Sequence, residues 1–131
     1  SLGHTRMIRG SEVKVLNTSK NTNFEDIIMF DPLRVVASKS HQNSKLEIFL
    51  KKFNSIHLKK MGSSLKFMSI VDQEADIYPR FSPCMEWDTA ASDAILRSLG
   101  YQVRSISSNF EVGNKLTYNK ENLYNSAFIA Y

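Results

Sequence analysis

Short apolar runs alternate along this chain with segments whose apolar residues recur every three or four positions. The run 33–37 is β-branched and follows Pro32, which is typical of a buried strand. In 55–61 and 102–106, apolar and polar residues alternate as they do in a half-buried strand. Strands are therefore predicted over 33–37, 55–61, 75–78, 102–106 and 127–130. Pro79 is expected to end the third of these.

Three helices are predicted between the strands. Ser44 and Glu47 have the spacing of a capping box, and Leu46, Phe49, Leu50 and Phe53 then form one apolar face up to about residue 54. The second helix is expected to begin at Ser63 or Ser64 and to run to about residue 74. The third begins at Asp88 or Thr89 and ends at Gly100, with Ala91, Ile95 and Leu99 on its apolar face.

The remaining segments lack a regular pattern. Residues 1–9 are interpreted as a leader or an expression remnant, and 10–131 as one α/β domain. The polar stretch 11–31 predicts a loop or an irregular hairpin, and 107–125 predicts a loop-rich segment.

Strands that alternate with helices predict an α/β fold, layered, with a mostly parallel sheet flanked by helices. In such sheets ligands bind where strands end and helices begin. This rule selects three segments as candidate sites, namely 38–41, 62–66 and 80–88.

Composition and charge narrow the function only slightly. The 131 residues are 42% hydrophobic and 23% charged, which is ordinary for a globular domain. The single cysteine, Cys84, excludes an internal disulfide and a cysteine-rich zinc site. It favours a reducing, cytoplasmic setting, and no apolar run is long enough for a membrane span. The net charge of +4 suits an anionic partner, either a phosphorylated small molecule or a nucleic acid.

Each candidate segment has a functional and an ordinary structural interpretation. The hydroxyls, cation and imidazole of 38–41 suit a phosphate, but a plain turn would use the same residues. Gly62 and Lys66 lie at the start of a predicted helix, where an anion or only a helix cap could lie. Arg80 could bind phosphate and Asp88 a hard cation, whereas Asp88 could equally be an N-cap. For Trp87 we expect packing in the core.

Four motifs in order resemble a known family. They are Val36-Ala37-Ser38-Lys39-Ser40-His41, Gly62-Ser63-Ser64-Leu65-Lys66-Phe67, Ala75-Asp76-Ile77-Tyr78-Pro79-Arg80-Phe81 and Trp87-Asp88-Thr89-Ala90-Ala91. Together they are similar to the CysQ-type 3'(2'),5'-bisphosphate nucleotidases, which belong to the Mg²⁺-dependent inositol monophosphatase superfamily. The run from Tyr118 to Asn125, with Phe128, resembles that family's C-terminus.

The resemblance implies a fold, a reaction and a set of site residues. The fold would be the C-terminal domain of the inositol-monophosphatase-like fold. The reaction would be hydrolysis of 3'-phosphoadenosine 5'-phosphate (adenosine 3',5'-bisphosphate) to AMP and phosphate by metal-activated water. Asp88 would ligate Mg²⁺ and act in catalysis. Substrate-binding positions of the family are matched by Ser40, His41, Gly62, Ser63, Lys66, Arg80 and Asp88.

Departures from the family pattern limit what the resemblance implies. The family's metal-binding Glu and its Asp-Pro-x-Asp-Gly-Thr motif have no counterpart here, and Asp31-Pro32-Leu33-Arg34 only begins like the latter. We therefore expect the chain to be the C-terminal, substrate-side half, inactive alone and needing the missing N-terminal half. An isolated half could self-associate through its exposed apolar face.

Two alternatives stay open at this point. One is another sugar phosphatase of the superfamily, acting on inositol phosphates or fructose 1,6-bisphosphate. The other is a non-catalytic domain that binds anions or nucleic acid. The scattered lysines and the absence of an RNA-binding signature argue against nucleic acid as the partner.

Overall fold

The computed structural model describes residues 5–9, 12–16, 23–39 and 43–131 of the chain. Ten strands and four helices lie in these ranges. The strands are β1 Thr5–Arg9, β2 Glu12–Leu16, β3 Leu33–Ser38, β4 Ile56–Met61, β5 Tyr78–Arg80, β6 Cys84–Met85, β7 Val103–Ile106, β8 Val112–Lys115, β9 Tyr124–Asn125 and β10 Phe128–Ala130. The helices are α1 Phe24–Ile27, α2 Ser44–Leu50, α3 Leu65–Val71 and α4 Ala90–Ser98, with a 3-10 turn at Glu86–Asp88 before α4.

The central sheet is mixed. Strands β3 and β4 pair in parallel, from Leu33 opposite Ile56 to Ser38 opposite Met61. Strands β5, β10, β7 and β8 form an antiparallel sheet in that order. A parallel bridge between Val35 and Ile77 joins the two, giving the order β4-β3-β5-β10-β7-β8. The α/β class is therefore confirmed, but the sheet is only partly parallel. The predicted parallel arrangement is wrong for the pairing of β10 with β5 and with β7.

Side chains alternate between two cores on opposite faces of the sheet. On one face, Val36, Tyr78 and Phe128 pack against residues of α3 and α4. On the other, Val35, Ile77 and Ile129 pack with residues of α1 and α2. The period of two along a strand makes neighbours such as Val35 and Val36 face opposite layers. The result is three layers, with helices on both sides of the sheet.

Helices α2 and α4 differ from the predictions, one in its N-cap residue and the other in its buried face. The N-cap of α2 is Asn43, whose side chain accepts a hydrogen bond from the backbone N–H of Lys45 (2.9 Å), and not Ser44. In α4, Ala91 and Ile95 are exposed, while Leu96 and Leu99 face the core. The predicted face is right at Leu99 but wrong at Ala91 and Ile95, because Ser92 and Asp93 are buried and hide the inward side from an apolar pattern.

Three smaller differences concern strands. Pro79 lies inside β5, opposite Ile129, and does not end it. Strands β1 and β2 form an antiparallel hairpin, and β1 falls in the stretch interpreted as a leader. The segment expected to be loop-rich also contains β8 and β9. None of the described helices is both long enough and apolar enough to cross a membrane.

We expect replacement of Ile129 by Val to lower the free energy of unfolding by about 1 kcal/mol, because Ile129 is fully buried between strands. The matched control is Ile48→Val on α2, since Ile48 is 55% exposed and should change stability by less than about 0.5 kcal/mol. Urea unfolding followed by circular dichroism measures both. Equal effects at the two positions would contradict the assignment of the core.

Candidate functional site

A cleft lies where β3, β4 and β5 end and the following turns begin. Its volume is about 420 Å³, within the usual range for small-molecule sites. The lining residues are Ser38, Ser63, Ser64, Lys66, Phe67, Tyr78, Arg80, Trp87, Asp88, Thr89 and Phe128. The structure therefore brings together Ser63, Lys66, Arg80 and Asp88, which the sequence predicted from separate segments.

Among the predicted site residues that the structure describes, Gly62 does not line this cleft. Gly62 lies in the turn between β4 and α3, next to Ser63. A Cβ atom at position 62 would meet no atom within 4 Å apart from its chain neighbours, so the described part of the chain leaves room for alanine there. Ser40 and His41 lie outside the described residues.

Lys66 is the most deeply placed cation of the cleft. Its side chain folds back over the β4–α3 turn, and its Nζ donates hydrogen bonds to the carbonyl oxygens of Ser63 (2.7 Å) and Met61 (3.5 Å). It also lies 5.4 Å from the centre of the Tyr78 ring. Burial, and then the nearby charge of Arg80, lower the pKa of Lys66.

The backbone has an unusual conformation at Ser63, three residues before Lys66. Ser63 has a φ of 47°, in the left-handed region that non-glycine residues adopt only at a cost. Ser63 and Ser64 were the two predicted N-cap residues of α3, and neither caps the helix with a side-chain hydrogen bond. Ser64 occupies the N-cap position of α3 without a side-chain capping bond.

Arg80 and Lys66 are cations without an anionic partner within the described ranges. The guanidinium of Arg80 donates to the carbonyl oxygens of Ser82 (3.4 Å) and Pro83 (3.2 Å), both in its own loop. The ion pairs found among described side chains all involve other residues. Two positive charges without a carboxylate partner make this end of the cleft suited to an anion.

Asp88 adds one carboxylate to the cleft. It is exposed, and its Oδ2 accepts a hydrogen bond from the backbone N–H of Met85 (2.9 Å). The N-cap of α4 is Thr89, so the interpretation of Asp88 as that helix's cap is wrong. Across the described residues, no group of three or more His, Cys, Asp or Glu side chains could hold a metal ion.

The position of Trp87 differs from the predicted one. It is 65% exposed and lines the cleft, whereas core packing was predicted. The 3-10 turn that carries it is too short for an apolar pattern, so nothing in the local sequence distinguishes a buried indole from an exposed one.

Glu86, which no local sequence pattern singles out, fixes the turn that carries Trp87 and Asp88. Glu86 is buried, and its carboxylate accepts hydrogen bonds from the backbone N–H groups of Asn119 (2.6 Å) and Lys120 (3.1 Å). It also forms an ion pair with the Lys120 ammonium. The bond to the Lys120 side chain is the largest cause of the lowered pKa of Glu86.

A second cavity, of about 130 Å³, lies between α1 and the end of α3. Its charged groups are already paired, because Arg34 and Asp76 form a two-point ion pair (3.1 and 2.6 Å). This smaller cavity is therefore less suited to binding an anion than the cleft that contains Lys66 and Arg80.

The comparisons with known proteins agree on one family. The model described as "Inositol monophosphatase family" matches residues 2–129. The chain is 39% identical over 99 residues to the 3'(2'),5'-bisphosphate nucleotidase CysQ of Buchnera aphidicola, covering 73% of this chain and 37% of that protein. It is 39% identical over 72 residues to CysQ of Escherichia coli strain K12, covering 55% of this chain and 29% of the relative.

A solved structure gives the same result for the fold. The crystal structure of CysQ from Bacteroides thetaiotaomicron superposes with a TM-score of 0.68 at 31% identity, covering 95% of this chain and 51% of that one. These findings confirm the resemblance drawn from the four motifs. The matches span less than two thirds of each relative's length.

We expect Glu86→Gln to remove an acid-sensitive part of the stability. Since the folded pKa of Glu86 is lowered, its contribution is present above the unfolded value of about 4.5 and is lost as pH falls through the folded value. The variant should therefore be less stable than the parent at pH 7, and the difference should shrink towards pH 3. Urea midpoints across this range measure it.

Glu121→Gln removes an exposed carboxylate from the same loop and controls for net charge. A difference between Glu86→Gln and the parent that stays constant from pH 7 to pH 3 would contradict the role of the Glu86 carboxylate.

Proposed function

Because this chain belongs to the inositol monophosphatase family and is CysQ-like, we propose that it forms the substrate-binding side of a Mg²⁺-dependent 3'(2'),5'-bisphosphate nucleotidase. The reaction is hydrolysis of the 3'-phosphate of adenosine 3',5'-bisphosphate, which gives AMP and phosphate. One observation supports this most directly. Lys66 and Arg80 lie in one cleft with Asp88, and neither cation is paired with a described carboxylate.

In this proposal the two cations bind the phosphates. The planar Arg80 guanidinium can bind two phosphate oxygens at once, and Lys66 supplies a compact charge from the floor of the cleft. Lys66 loses solvation through burial, so a bound phosphate would restore the interactions that favour its charged form. Ser63 lies beside Lys66 and can donate a hydroxyl hydrogen bond. Contacts with the substrate stay predictions at Gly62, Ser40 and His41.

Asp88 is proposed as a ligand of the metal ion. Magnesium prefers oxygen ligands, and the Asp88 carboxylate has a second oxygen beyond the one bonded to Met85. When bound, the ion would polarise the phosphoryl group and lower the pKa of a water molecule. A complete Mg²⁺ site needs several oxygen ligands, so we propose that polypeptide matching the rest of the relatives' length supplies the others.

The first test is isothermal titration of the chain with adenosine 3',5'-bisphosphate. Lys66→Met should weaken binding about tenfold to 100-fold, because it removes the buried positive charge that is proposed to bind a phosphate. Lys115→Met, at an exposed lysine of β8, is the matched control for net charge. Equal affinity of the parent and Lys66→Met would contradict the assigned phosphate site.

The second test measures phosphate release after the amino-terminal half of a CysQ relative is joined to this chain. Asp88→Asn should reduce the Mg²⁺-dependent rate at least about 100-fold, because several kcal/mol of charge stabilisation would be lost. Glu121→Gln is the control. An unchanged rate in Asp88→Asn would refute the metal role. Comparison with inositol phosphates and fructose 1,6-bisphosphate separates the nucleotidase from other phosphatases.

A further inference from the structure

Trp87 is an apolar side chain held open to solvent at the edge of a charged cleft. Its exposure of 65% is large for an indole, a group whose burial is strongly favourable. It lines the same cleft as Lys66, Arg80 and Asp88. Its place in the lining of a cleft with two cations that lack described carboxylate partners distinguishes it from an isolated apolar residue on a surface, which needs no explanation.

The turn that carries Trp87 is fixed on both sides. Before it, the backbone N–H of Glu86 donates to the carbonyl oxygen of Leu123 (2.9 Å). After it, the Asp88 carboxylate accepts from Met85, and the backbone N–H of Thr89 donates to the carbonyl oxygen of Glu86 (3.1 Å). The indole is therefore attached to a backbone that is ordered before any ligand binds, which reduces the entropy lost on binding.

We propose that Trp87 is the base-binding platform of the cleft. Its indole face stacks on the purine ring of a nucleoside bisphosphate, while Lys66 and Arg80 bind the phosphates. This inference rests on the proposed function and adds the group that recognises the base. Aromatic side chains and cations commonly occur together in sites that bind nucleotides, because the base stacks on the ring and the phosphates pair with the positive charges.

The same arrangement accounts for discrimination between substrates. An inositol bisphosphate carries the phosphates but no aromatic ring, so it would use Lys66 and Arg80 without gaining from Trp87. Base stacking on an aromatic side chain typically changes affinity by about tenfold to 100-fold. Trp87 would therefore favour nucleotides over sugar phosphates without affecting the phosphate contacts.

The chain contains one tryptophan, so its intrinsic fluorescence reports on Trp87 alone. The experiment titrates the chain with adenosine 3',5'-bisphosphate and, separately, with inositol 1,4-bisphosphate, each followed by fluorescence and by calorimetry. Free N-acetyltryptophanamide corrects for light absorbed by the purine. We expect the nucleotide to quench the emission with the same dissociation constant that calorimetry gives, and inositol 1,4-bisphosphate to leave it unchanged.

Two variants separate stacking from a structural effect. Trp87→Leu should weaken nucleotide binding at least tenfold and leave inositol 1,4-bisphosphate binding unchanged, whereas Trp87→Phe should recover most of the affinity. Tyr124→Leu, at an exposed aromatic residue that does not line the cleft, is the matched control. Circular dichroism verifies that each variant is folded.

The outcomes are distinct. Calorimetric binding of the nucleotide without quenching, and without an effect of Trp87→Leu, would overturn the inference while leaving the proposed function intact. Equal losses for both ligands in Trp87→Leu would also overturn it, since they would indicate a structural role or a surface covered by other polypeptide. Absence of binding by any bisphosphate would refute the proposed function and this inference together.

Discussion

The position of the cleft depends on the parallel contact of β3 with both β4 and the start of β5. Parallel strands end at the same edge of a sheet, so the turns after β3, β4 and β5 must lie side by side. The Val35–Ile77 bridge provides the second of these contacts, and the bond from the Val36 N–H to the Ile77 carbonyl (3.0 Å) supports it. Together with the pairing of β5 and β10, this bridge holds the strand that carries Arg80 beside β3. Strand β10 contributes Phe128 to the lining of the cleft, whereas no residue of β7 lines it.

The cleft is electrostatically incomplete within the described ranges, in contrast to the rest of the fold. Elsewhere buried charges are matched, as where Asp93 forms a two-point ion pair with Arg97 (2.7 and 2.7 Å) and accepts a hydrogen bond from Tyr118 (2.6 Å). Desolvating an unmatched charge is costly, and folds tolerate it mainly where a ligand supplies the counter-charge. The lowered pKa of Lys66 is the physical sign of that cost.

The sequence predicted the layers and most of the cleft, but not its rigid support. Local patterns were sufficient for β3 and β4, whose apolar residues follow strand periods, and the motifs identified Lys66, Arg80 and Asp88. Strands β7 and β10 were also predicted from local pattern, but their antiparallel pairing was not. Strand direction is set by partners distant in sequence, such as Ile129 opposite Pro79. Glu86 was missed for the same reason, since its partners are more than thirty residues away.

The Glu86 carboxylate joins the 3-10 turn to the loop that follows β8, which explains why a polar residue occupies this buried position. The loop that follows β8 contains two non-glycine residues in the left-handed region, Asn119 (φ 64°) and Leu123 (φ 54°), each at a cost of about 1–3 kcal/mol. Both residues bond to Glu86, one through its carboxylate and the other through its backbone N–H. An apolar residue at this position would keep the backbone bond to Leu123 but would lose the side-chain bonds to Asn119 and Lys120. Directional hydrogen bonds offset the strain and fix the backbone of the turn from which Trp87 and Asp88 enter the lining of the cleft.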